Sequence, residues 1–93
     1  MLEKQVQASM LKYLKSEGYF TFKTIVNNVA GVPDIYALKD GKSIWIEVKR
    51  PGGRRSPVQI YTQEQMEKQG GIVMTVESVE DLDKKLKEIN AQC

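Results

Sequence analysis

Ninety-three residues make one small domain, because a second core would leave each half too short to bury itself. Charged residues are 28% and hydrophobic ones 41% of the chain, as in an ordinary globular protein, and a net charge of +2 selects no polyanionic partner by itself. The absence of histidine and the single cysteine at position 93 exclude His-based triads, zinc sites built on His or Cys clusters, and any intrachain disulfide. Metal chemistry must therefore run on oxygen ligands, which favours magnesium, manganese or calcium.

No apolar run approaches the roughly 20 residues that cross a bilayer, and Met1-Leu2-Glu3-Lys4-Gln5 lacks the apolar core of a signal peptide. A cytoplasmic protein without a membrane partner is expected. Val6, Met10, Tyr13 and Leu14 recur at helical spacing and predict a helix over Glu3–Ser16, stopped by Gly18. Residues 19–25 alternate aromatic or β-branched with polar side chains, as a strand does. A loop punctuated by Gly31 and Pro33 follows.

Two strands, 34–38 and 43–49, flank Lys39-Asp40-Gly41-Lys42, and Asp-Gly between apolar runs predicts a tight hairpin. Ser56-Pro57-Val58-Gln59 then opens a helix, with Ser56 as N-cap, Pro57 at the first helical position and Gln59 at the third. Val58, Tyr61, Gln65 and Met66 keep helical spacing up to Gly70-Gly71, so Tyr61 is expected on an apolar, core-facing stripe. Ile72–Val76 reads as a buried strand. Ser78 caps a last helix with Leu82, Leu86 and Ile89 inward and Lys84, Lys85 and Lys87 mostly in water. The order α-β-β-β-α-β-α predicts an α/β fold, a small mixed β-sheet flanked by helices.

The hairpin carries the first chemical signal. With Asp40 and Gly41 as the turn, opposed positions sum to 81, which sets Asp34 across from Glu47. Alternation puts Glu47 and Lys49 on one face of their strand and Ile44, Ile46 and Val48 on the other. Directly opposed side chains have Cβ atoms about 5 Å apart, and like charges there destabilise the sheet. Two converging carboxylates suit a divalent cation, although the same residues on an exposed hairpin face would simply point to water. Lys49, Arg50, Arg54 and Arg55 crowd around Pro51-Gly52-Gly53, a mobile basic surface suited to phosphates or equally a solvated hinge.

Gly31-Val32-Pro33-Asp34, followed by Glu47-Val48-Lys49, resembles the PD-(D/E)xK nuclease signature. With Glu3 on a leading helix and Ser56-Pro57-Val58-Gln59-Ile60-Tyr61 after a basic loop, the chain is similar to the VRR-NUC family in its short, stand-alone viral and bacterial form. The resemblance runs from Glu3 to the last helix, making residues 1–93 a single nuclease-like domain of restriction-endonuclease type. It implies that Asp34 and Glu47 bind Mg²⁺, with Mn²⁺ expected to substitute, and that the backbone carbonyl of Val48 is a further ligand. Lys49 would position the attacking water or steady charge on the phosphate, and Gln59 would orient Lys49 or a water beside the metal. Glu3 would complete the site, with Gln7 on the same helix as the other candidate.

Each assignment has a structural rival: Gln59 fits a capping box with Ser56, and Glu3 can simply favour the helix dipole. Tyr36 and Trp45 are read as a packed cross-strand pair before they are read as base-stacking residues.

The expected activity is metal-dependent, structure-selective endonucleolytic cleavage of DNA by a homodimer resembling Holliday-junction resolvases, in a bacterial or virus-infected cell. Arg50, Arg54 and Arg55 are assigned to DNA contact. The alternative is a non-catalytic DNA-binding module using the basic loop, and the presence of all the acidic positions argues against it, since a pure binder gains nothing from carboxylates facing phosphate. Gly41-Lys42-Ser43 resembles the end of a phosphate loop, but Tyr36 stands where that motif needs glycine and the triplet lies in a hairpin.

Overall fold

The computed structural model describes residues 3–25 and 28–91, with Glu3 described by its backbone alone. Helix α1, Glu3–Ser16, buries Met10 and Leu14 completely, the inner positions of the predicted stripe. It ends in a Schellman motif: Gly18 takes a positive φ of 87°, its N–H bonds the Lys15 carbonyl, and the N–H of Tyr19 bonds the Leu14 carbonyl. Tyr19 is thereby spent on the helix cap and packs into the core. The strand expected over 19–25 is accordingly shorter, β1 running Phe20–Lys23.

Strands β2 (Ile35–Lys39) and β3 (Lys42–Val48) form the expected hairpin, each bounded one residue away from its predicted limits. Asp40 and Gly41 both have positive φ, 53° and 79°, the backbone of a type I′ turn whose twist matches that of the strands. Pairs Lys39↔Lys42, Tyr36↔Trp45 and Ile35↔Ile46 all obey the predicted register. Helix α2 (Pro57–Lys68) crosses over to β4 (Ile72–Val76), which pairs parallel to β3, and helix α3 (Val79–Ala91) closes the chain. Among the described residues the sheet has four strands in the order β1-β2-β3-β4, antiparallel except for the β3–β4 pair. Three helices and a four-stranded mixed sheet give the α/β architecture expected.

Helices α1 and α3 cover one face of the sheet. Ile35, Ala37, Ile44, Ile46, Val48 and Val76 meet Met10, Leu14, Leu82 and Leu86 there in one cluster. Side chains of this size contribute about 1.5–3 kcal/mol each when fully buried, so this layer supplies most of the apolar stabilisation. Lys85 departs from the expected solvated face: its ammonium bonds the Thr75 carbonyl and Asp81, while Lys87 pairs with Asp83 at 3.0 Å.

Helix α2 lies on the opposite face, and its inner side is polar. Thr62 and Gln63 are its buried residues, whereas Tyr61 is 65% exposed and Val58 47%. The expectation of Tyr61 in the core is therefore corrected. The Ser56-Pro57 start sets the phase of the helix, and positions 59, 62, 63 and 66 turn inward at i, i+3, i+4 and i+7 spacing. The remaining aromatic residues of this face pack across strands with tilted rings, Phe22–Tyr36 centroids 5.3 Å and Tyr36–Trp45 centroids 4.6 Å apart.

Candidate active site

Asp34 stands immediately before β2, and extending the ladder one step beyond Ile35↔Ile46 sets it opposite Glu47. Its Oδ2 accepts the N–H of Val48 at 2.8 Å, which anchors the carboxylate at the end of β3. In extended backbone the N–H and C=O of one residue point the same way, so the Val48 carbonyl faces the Asp34 side as well. Glu47 is only 2% exposed. The alternative of acids pointing to water is thus corrected for Glu47.

Three donors from two segments hold that carboxylate. Lys49 Nζ lies 3.4 Å from Oε2, Gln59 Nε2 donates to Oε2 at 3.3 Å, and Gln63 Nε2 donates to Oε1 at 3.0 Å. Burial, followed by the negative charge of Asp34, pushes the Glu47 carboxyl up to about 7, with Lys49 pulling the other way. One ammonium does not offset two adjacent carboxylates in a desolvated spot. That deficit of positive charge, among oxygen donors alone, is what a hard divalent cation fits. Among the described residues no group of three acidic or cysteine side chains gathers. Asp34, Glu47 and the Val48 carbonyl are the expected ligand oxygens that fall among the described residues, and the side chain of Glu3 lies outside them. Gln7, the other candidate on α1, is half-buried.

Gln59 serves two purposes at once. Its carbonyl accepts the N–H of Ser56 at 2.8 Å, its own N–H reaches the Ser56 hydroxyl, and its amide group still touches Glu47. The capping box thereby pre-orients a site residue. Its amide contacts Glu47, beside Lys49, one of the two groups it is expected to orient.

The basic loop is tied down. Gly52 donates to Glu77 Oε2 at 3.0 Å and Gly53 to the Arg50 carbonyl at 2.7 Å. Only Arg50 and Arg54 of its four cations are exposed. Lys49 turns in to Glu47, and Arg55 donates from Nη1 to Gln63 Oε1 at 2.9 Å. The picture of four cations on a mobile surface is corrected to two outward and two inward.

The loop leading to Asp34 is fastened to α2. Thr62 donates to the Ala30 carbonyl at 2.6 Å and Gln63 to the Gly31 carbonyl at 3.2 Å. A Cβ on Gly31 would sit 2.6 Å from the Val58 carbonyl and 2.9 Å from the Thr62 hydroxyl, at a φ of +88°. Only glycine satisfies both the conformation and the approach. Thr62 and Gln63 are the residues that sequence reasoning missed; the signal was their spacing from Gln59, hidden by the more conspicuous apolar side chains of α2. A groove of about 390 Å³ between α1, the end of β3 and the start of α3 adjoins the site, since Val48, Lys49 and Arg50 line it although Asp34 and Glu47 do not.

This fold is that of a small nuclease-like α/β domain. Two solved structures share it. One described as a VRR_NUC domain superposes with a TM-score of 0.80 and 26% identity over 91% of this chain and 94% of its own. One described as a VRR_NUC domain protein gives a TM-score of 0.79 over 94% of this chain and 86% of its own, at 16% identity, and bears on the fold alone. The structural likeness supports the VRR-NUC resemblance first drawn from the motifs. No family model matches the sequence, and no curated protein does.

Proposed function

We propose that this chain is a Mg²⁺-dependent, structure-selective DNA endonuclease that acts as a homodimer on branched DNA, with the four-way junction as its leading substrate. The observation that carries the reading is the buried Glu47 carboxylate, set against Asp34 and contacted by Lys49. Asp34, Glu47 and the Val48 carbonyl would hold the ion, and Glu3 is proposed to add to them. A bound divalent ion neutralises charge at the phosphate and lowers the pKa of water. Lys49 keeps an ammonium beside the reacting phosphate, where it steadies developing negative charge. Gln59 and Gln63 hold the Glu47 carboxylate in plane, and Arg50 and Arg54, exposed on the neighbouring loop, meet the DNA backbone.

The homodimer is supported by size and by exposed apolar side chains. The described chain measures 33 × 31 × 24 Å, about one helical turn of duplex, so two copies are needed to address two arms. Phe20 at 66% and Phe22 at 45% exposure lie on β1 at the sheet edge. A second copy would cover them.

The test is incubation with labelled four-way junction, flap and linear duplex, each with Mg²⁺ and with EDTA. Cleavage of branched DNA in Mg²⁺ alone is expected, and Asp34→Ala and Lys49→Ala should abolish it while junction binding persists. Salt-sensitive binding with no cleavage under any condition would favour the binding module instead.

A further inference from the structure

We infer that Gln63 is a positioning residue that couples the basic loop to the metal-binding carboxylate. The inference rests on the nuclease reading and deepens it. Gln63 has no exposed surface and joins three separated segments. Its amide nitrogen donates to Glu47 Oε1 and to the Gly31 carbonyl, and its amide oxygen accepts from Arg55. The orientation of that amide is not interchangeable. A guanidinium can only donate and a main-chain carbonyl can only accept, so a rotation by 180° would break the contacts at both ends.

Two amides one helical turn apart thus grip opposite oxygens of one carboxylate, Gln59 on Oε2 and Gln63 on Oε1. Gln59 takes its orientation from the capping box, whereas Gln63 takes its own from Arg55. The chain Arg55–Gln63–Glu47 therefore transmits the position of loop 50–55 to the plane of the carboxylate. Gln63 also fixes the loop leading to Asp34 through the Gly31 carbonyl, so one buried side chain sets the spacing of both acids.

A residue that fills space alone would be replaced without consequence by an apolar isostere. A residue that orients a ligand would not, since loss of such outer partners typically lowers metal affinity or activity 10–100-fold. Gln63→Met keeps length and volume and removes all three bonds. Arg55→Met leaves Gln63 in place and removes its anchor. Mn²⁺ affinity of the folded, DNA-free protein is measured by calorimetry for wild type, both single variants and the double variant, with circular dichroism to establish folding.

The expected result is a loss of about 10–100-fold in Mn²⁺ affinity for Gln63→Met, a smaller loss for Arg55→Met, and no further loss in the double variant. Non-additivity of that kind identifies residues acting as one unit. Wild-type affinity in a folded Gln63→Met protein would overturn the inference and leave the nuclease reading standing. If Gln63→Met does not fold, unchanged affinity in Arg55→Met overturns it equally. A wild-type chain that binds no Mn²⁺ would overturn the nuclease reading and this inference together.

Discussion

At the scale of single residues, Glu47 is the most perturbed carboxylate of the proposed site. Its pKa, raised to about 7 by burial and by Asp34, lies above that of an ordinary glutamate in the unfolded chain. Its protonated form therefore favours folding, and that contribution fades as pH climbs from about 4.5 through about 7. In EDTA, the wild-type chain should lose thermal stability relative to Glu47→Gln across this interval; parallel curves from differential scanning calorimetry would count against the buried pair. If the proposed ion binds there it displaces the same proton, so Mn²⁺ affinity should rise with pH up to about 7 and then level. Tyr13 shows the contrasting case on the far side of the sheet. Burial and its bond to Asp83 raise its phenol, and that bond, with Lys87, lowers Asp83, which clasps α1 to α3 away from the site.

At the scale of elements, helix α2 makes the site an assembly rather than a hairpin with acids on it. Ser56→Ala removes the hydroxyl that caps the helix and should destabilise the protein by about 1 kcal/mol. Cleavage should fall as well, because Gln59 is released from the box that aims it. Gly31→Ala is expected to be worse, by about 1–3 kcal/mol, since it combines a left-handed backbone with a clash against the Val58 carbonyl; urea denaturation would measure both. Asp34, Glu47 and Lys49 were legible from register and alternation because a type I′ turn leaves a hairpin one pairing. The polar inner face of α2 was not, since burial of glutamine is decided by the partners it finds in three dimensions. Tyr61 misled for the same reason: a helix whose hidden side serves a site leaves its apolar residues outside.

At the scale of the whole molecule, the sheet divides labour between its faces. Aliphatic residues under α1 and α3 supply stability, and the face under α2 carries the acids, amides and packed aromatics. Leu82→Ala should therefore cost about 2–5 kcal/mol of stability while leaving the cleavage pattern of the folded fraction unchanged. Phe22→Glu should turn a dimer into a monomer without unfolding it, as light scattering would register; a monomeric wild type would remove the homodimer from the proposal.

The Asp40–Gly41 turn has an outcome for how such a chain can diverge. It begins six residues from Asp34 along the hairpin, about 20 Å away, well clear of the proposed site. A surface bend is ordinarily where natural variation in length accumulates. Here one inserted amino acid would slip β2 against β3 and rotate Asp34 away from Glu47, so a genetic lesion that dismantles the proposed site need not fall anywhere near it.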